Sequence, residues 1–333
     1  MWPRGCSPEI GRNPHPSVVD CVDNDSVIRA TLAVFTALCP IFVAGCTPPD
    51  RSAVAEHIAD QVALLSGVDA VSHSYINDFE NGAQLNLQIS IGATSERQIA
   101  TVAGRVHELM GDGFAGHRNR ITYILVEGSI VDTRPMMNTE SVSVAAKILR
   151  TLGPQFNGET VEVRLDESQM TVGMLRSPAD TDDAVRTVAV VVNSLDAAPP
   201  VVAEIRSPQP ALHNSWSVQL PLSPAELDRI VSLRDSLPVV VLQLGVRGDR
   251  IVDLSVDLGD PTHAYDNAAA MLAALSPSGQ HPVGIQWRMA GAPSRETGRF
   301  VACAEPGSPP SPAVATYETM RQWFDGQYAR CSA

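Results

Sequence analysis

Leu85-Asn-Leu-Gln-Ile-Ser-Ile91 alternates apolar and polar residues without a break. A period of two puts all four apolar side chains on one face, which is the pattern of a half-exposed β-strand. Upstream, residues 68–77 form a second strand-like run, and Asn81-Gly82 between the two is a strong hairpin signal. Downstream, Thr94 or Ser95 offers an N-cap for a helix over 96–110, with Ile99, Val102, Val106 and Leu109 on one side. Val54, Ile58, Val62 and Leu65 predict a helix over 53–66, and residues 121–132 read as one long strand. The local order is therefore helix, strand, strand, helix, strand.

That order recurs. Helix 141–152, strands 159–166 and 169–176, helix 181–196 and strand 201–206 repeat it. So do helix 224–236, strands 239–246 and 250–258, helix 263–275 and strand 282–289, with a further strand at 213–220. Ser223-Pro224 and Asp260-Pro261 each place a cap residue before a first-turn proline. Val239-Val-Val-Leu242 reads as a strand buried on both faces or central in a sheet. A proline-rich loop over 305–312 leads to a last helix at about 313–328, carrying Tyr317, Met320, Phe324 and Tyr328 on one face. The predicted fold class is α+β, built from tandem helix-strand-strand-helix-strand units in the order of a ferredoxin-like split βαβ. Modules are expected at 53–134, 135–210 and 211–333.

Composition narrows the function classes. Hydrophobic residues make up 44% of the 333, enough for a folded protein of two or three domains. The net charge is −13 and no basic stripe interrupts it, which argues against nucleic acid as a partner. Aromatics are only 5%, a weak argument against a sugar cleft lined with stacked rings. Lys147 is the only lysine; with abundant Ala and Val, this resembles the residue usage of high-GC bacteria such as actinobacteria.

Residues 29–46 read Arg29-Ala-Thr-Leu-Ala-Val-Phe-Thr-Ala-Leu-Cys-Pro-Ile-Phe-Val-Ala-Gly-Cys46. One positive charge leads an apolar run too short to span a bilayer, and small residues and a cysteine close it. The stretch resembles a bacterial lipoprotein signal peptide, with Val43-Ala44-Gly45-Cys46 matching the lipobox. The resemblance implies cleavage between Gly45 and Cys46, a palmitate-bearing diacylglyceryl group on the Cys46 sulfur, and export to the membrane surface. Residues 46–52 would then be a tether, with Thr47 to Ser52 reaching at most roughly 20 Å when extended. A spanning helix and an ordinary buried apolar segment are the alternatives. Pro40 opposes the first and the Cys46-Thr-Pro-Pro-Asp50 stretch opposes the second. Asp20, Asp23 and Asp25 sit where a signal peptide carries positive charge, so translation is expected to begin near Val27. Intact-mass measurement of the native chain checks that start.

Cleavage would leave 288 residues with 21 basic and 33 acidic groups, a formal charge of −12. Cys303 and Cys331 would then be the two thiols besides Cys46, and in an exported chain they suggest a disulfide. Two separately buried free cysteines are the alternative.

No short motif carries chemistry. Gly111-Asp-Gly-Phe-Ala-Gly116 has the letters of a dinucleotide fingerprint but follows a helix, so it reads as a helix stop. Asp253, Asp257, Asp260, His263 and Asp266 are the densest hard-ligand group and read as a strand face followed by a helix cap. Asp180, Asp182 and Asp183 read as helix-start carboxylates. Ser143 and Lys147 are four apart, where serine–lysine acyl enzymes use three. The histidines are scattered, and Trp216, Trp287 and Trp323 read as packing residues. Neither a metal site nor a cofactor site is expected.

The leading expectation is a lipid-anchored, extracytoplasmic envelope protein that binds or scaffolds. Its partners would be the membrane, through the anchor, and other envelope proteins. One alternative is a lipid or small-molecule carrier with an apolar cavity. The other is a hydrolase in which Asp257, Asp260 and His263 converge in one cleft.

Overall fold

The computed structural model describes residues 50–332, apart from 79, 81, 133–137, 157–158, 167, 196–199, 208–214, 291–296 and 309–313. Over the described residues the fold is α+β: seven α-helices and one twelve-stranded mixed sheet. In chain order the elements are α1 (Ser52–Ala63), β1 (Val68–Asp78), β2 (Gly82–Ile91), α2 (Glu96–Met110), β3 (Arg118–Ile124) and β4 (Gly128–Asp132). Then come α3 (Thr139–Leu152), β5 (Val161–Leu165), β6 (Met170–Met174), α4 (Thr181–Asn193), β7 (Val201–Ile205) and β8 (Ser215–Leu220). The chain closes with α5 (Pro224–Ser236), β9 (Val240–Arg247), β10 (Arg250–Asp257), α6 (Ala264–Leu275), β11 (Val283–Arg288), β12 (Gly298–Ala302) and α7 (Tyr317–Tyr328).

Each strand pairs with the next in sequence, from β1 to β12. The β1–β2, β3–β4, β5–β6, β7–β8, β9–β10 and β11–β12 pairs are antiparallel. The β2–β3, β4–β5, β6–β7, β8–β9 and β10–β11 pairs are parallel, and one helix joins each. This corrects the split βαβ expectation, because the parallel partners are direct neighbours with no strand between them. The β4–β5 and β7–β8 pairs also join strands that fall in different expected modules into the same sheet.

One face of the sheet is covered. Leu85, Leu87 and Ile89 of β2, Ile121 and Tyr123 of β3, Val163 of β5, Val172 of β6 and Val218 of β8 are all buried in a single apolar core. Helices α1 to α5 pack side by side over it. Each hairpin reverses strand direction while the lateral step across the sheet stays the same. Successive crossovers on one face must therefore alternate in hand. Two of the four made by α2–α5 run against the right-handed preference of βαβ units.

Local chemistry explains most element ends. Ser95 caps α2 by accepting a hydrogen bond from Gln98 N–H, and Gly111 ends it at φ +49°. Ser223 and Glu226 form a reciprocal capping box at the start of α5, with Pro224 in its first turn. The sequence expectation fails at three points. Residues 121–132 are a hairpin: Leu125 and Gly128 exchange backbone hydrogen bonds, and a Cβ on Gly128 would strike the Val161 carbonyl. His263, not Asp260, occupies the N-cap position of α6. Val240 is 50% exposed, so burial of 239–242 on both faces fails, while β9 does lie centrally in the sheet, between β8 and β10.

Candidate functional site

The other face of the sheet carries no helix among the described residues, and its strands contribute their polar alternate positions. On β2 these are Gln84, Asn86 and Gln88, each one position from a buried Leu or Ile. Across β3, β5 and β7 the face bears a line of alternating charge. Arg164 donates to Glu204 at 2.7 Å, and Glu162 lies 3.9 Å from both Arg120 and Arg164. Arg120, Arg164 and Glu204 are partly solvated, so the value of these pairs is orientation more than stability.

Toward the C-terminal end the face dips. A depression of about 250 Å³ is lined by Ser217 of β8, Gln243 and Gly245 of β9, Asp253 and Ser255 of β10, Gly284 and Gln286 of β11, and Arg299 of β12. Two glycines explain its shape. A Cβ on Gly245 would lie 2.8 Å from the Asp253 Cβ, and one on Gly284 would run into the Asp253 carboxylate. Without those methyl groups the Asp253 side chain lies across β11. A second depression of about 310 Å³ adjoins the first and shares Ser217, Gly245 and Asp253 with it. Neither Asp253 nor Arg299 is ion-paired among the described residues. The arrangement offers one carboxylate, one guanidinium and several amide and hydroxyl groups over a shallow surface. It can hold a polar, hydrogen-bonding surface or chain, and it has no enclosed space for a reacting centre.

The helix side is structural. Burial alone would raise the Asp182 carboxyl, but two hydrogen bonds and the charge of Arg234, with the Trp216 indole N–H, outweigh it and hold it below the usual carboxylate range. The Arg234 guanidinium also lies 5.5 Å above the Trp216 ring. This ties α4 to α5 and β8. At the far end, Trp287, Phe300, Trp323, Phe324 and Tyr328 form an aromatic core, where burial pushes the Tyr328 hydroxyl up to about 12.

The residues singled out in the sequence fall in different places. Gly45 and Cys46 lie outside the described residues. The Cys303 and Cys331 sulfurs are at disulfide distance, with Cα atoms 5.7 Å apart. Asp257 accepts from Arg288 at 2.9 Å and from Gly259 N–H. Asp260 accepts from the hydroxyl and N–H of Thr262, which hold it below the usual carboxylate range. His263 Nδ1 meets the Thr262 hydroxyl at 2.9 Å, so Asp260 and His263 are both engaged with Thr262 after β10, while Asp257 ends that strand. Asp180 caps α4 by accepting from Asp182 N–H and Asp183 N–H. Among the described residues no group of three His, Cys, Asp or Glu could hold a metal ion. No described helix is long and apolar enough to cross a membrane.

Sequence reasoning missed Asp253, Arg299 and the glycines as one site. Their only local signal is a glycine at a polar alternate position of each of two strands, Gly245 and Gly284. No known family, curated protein or solved structure matches this chain.

Proposed function

We propose that this chain is a lipid-anchored extracytoplasmic lipoprotein of the cell envelope that works by binding, with the uncovered sheet face as its binding surface. The anchor reading rests on Val43-Ala44-Gly45-Cys46 and the apolar run before it. The membrane is then one partner, through acyl chains on Cys46, and envelope proteins supply the others. The observation that carries the binding reading is a twelve-stranded sheet with one face packed under helices and the other left polar. Antiparallel sheets commonly expose one face, whereas parallel pairing usually comes with both faces covered. Here that face also carries a charge line and an indented carboxylate, which favours a role in recognition.

The tandem construction belongs to the same proposal. The reiterated unit is one helix plus one hairpin, six times over, with α7 closing the series. Stacked units that bury their apolar sides against neighbours leave an extended surface for partners.

The carrier reading draws on a cleft of about 540 Å³ beside the β3–β4 turn, lined in part by Ile124, Val126, Pro154 and Leu175. It stands second because Glu127 and Glu159 also line that cleft and it is open to solvent.

Replacing Cys46 with alanine in the native host tests the anchor. The expected result is loss of the lipid mass and release from the membrane fraction. Unchanged mass and unchanged fractionation would contradict it.

A further inference from the structure

Nine large apolar side chains stand exposed among the described residues, and three of them, Ile124, Val126 and Leu175, line the cleft beside the β3–β4 turn. Val126 is 84% exposed and Leu175 62%. Exposed aliphatic side chains scattered singly need no explanation, but a cluster of them marks a binding site. Pro154 extends the apolar lining, and the volume of about 540 Å³ suits a small molecule.

Two carboxylates, Glu127 and Glu159, line the same cleft. Gly153 makes room for the first: a Cβ there would lie 2.8 Å from the Glu127 Cβ. Both glutamates are half-buried, and among the described residues they differ from every other half-buried carboxylate. Glu96, Glu162, Asp182, Glu204 and Asp257 each face an arginine, and Glu226 is held in the α5 capping box. Glu127 and Glu159 have no ion-pair or hydrogen-bond partner for their side chains among the described residues, and Glu159 Oε2 is also closed off from water. Taking a carboxylate out of water without a partner is costly, and a bound cation offsets that cost.

We propose, resting on the carrier reading of this cleft, that it binds an aliphatic cation. The ligand is an alkylammonium whose chain lies against Ile124, Val126, Pro154 and Leu175 and whose head group pairs with Glu127 and Glu159. A fatty acid would bring a third carboxylate beside these two, and like charges repel. A neutral alcohol would cover the apolar lining and leave both carboxylates without a counter-charge. The ammonium satisfies both halves of the lining. The cleft shares no residue with the depression around Asp253, so the two can be occupied independently.

Calorimetric titration of the full chain at neutral pH with octylamine, octanol and octanoate tests this. Octylamine, protonated under these conditions, should bind at least about tenfold more tightly than octanol, with octanoate weakest. Leu175→Ser should weaken the amine and the alcohol alike. Glu127→Gln/Glu159→Gln should abolish the preference for the amine; Glu127→Gln alone, which should reduce it, serves where the double change disturbs folding. Glu56→Gln/Asp60→Asn takes the same charge from exposed positions of α1 and should leave binding unchanged. That pair separates the cleft from the general attraction of an acidic chain for cations. Failure of all three probes to bind would overturn both the proposal and the carrier reading. Octanol or octanoate binding as tightly as octylamine would overturn the proposal and leave the carrier reading standing. An amine affinity lowered equally by the α1 pair and the glutamine pair, or untouched by Leu175→Ser, would also overturn the proposal.

Discussion

The two faces of the sheet are made by the same strands yet obey different rules. On β2, Leu85, Leu87 and Ile89 are fully buried in the apolar core, while Gln84, Asn86 and Gln88 alternate with them on the uncovered side. The covered face collects the apolar half of every strand into one core, so stability is concentrated there. The uncovered face holds charges and amides that packing does not require, so its residues are free to serve recognition. A protein built this way should tolerate change on one side and resist it on the other.

The sharpest way to break that comparison is a pair of substitutions one residue apart. Leu87→Ala should cost about 3 kcal/mol or more, because it opens a cavity in a close-packed core. Asn86→Ala should cost no more than about 0.5 kcal/mol, the ordinary scale for a surface change. Urea titration of both variants reads the difference, and similar costs would erase the distinction between the faces.

A buried charge on the helix side sharpens it further. Asp182→Ala leaves Arg234 without its bidentate partner under α5, and should cost about 3 kcal/mol. The wild-type link should also depend on pH. The folded-state Asp182 carboxyl is depressed, so its contribution is present above the unfolded carboxylate value and is lost as pH falls through the folded one. Thermal melts from neutral to acid pH should therefore converge for wild type and Asp182→Ala. Curves that stay parallel would show the carboxylate to be inert.

The smallest expected effect is at a helix start. Ser223→Ala removes one side of the α5 capping box and should lower stability by about 1 kcal/mol, read by the same titration.

Much of the local structure was legible from residues alone. The helix over 96–110 and that over 224–236 run as the spacing predicts: Ser223-Pro224 marks the start of one, and Ser95, of the two candidates Thr94 and Ser95, caps the other. The hairpin at 125–128 was not legible: apolar residues flank it on both sides and no Asn-Gly or Pro-Gly marks the turn. β12 was missed because Gly298-Arg-Phe-Val-Ala302 shows no sustained apolar–polar alternation. The topology was not legible for a deeper reason. Sequential neighbours and a split βαβ share the same local pattern, and which strand lies beside which is decided by long-range pairing. For the same reason the polar alternates could be read strand by strand, but not as one face joining Asp253 to Arg299. The Cys46 reading concerns residues outside those described.

Everything said of the free face follows from β4 lying directly against β5. Ser129 and Glu162 sit opposite each other in that parallel pair. A Ser129→Cys/Glu162→Cys variant, oxidised and mapped by peptide mass, tests the arrangement directly. The account predicts an efficient 129–162 disulfide, since adjacent strands lie about 4.8 Å apart. Two strands separated by a third would lie about 10 Å apart, beyond the reach of the bond. Absence of the link would contradict the single continuous sheet and its open face.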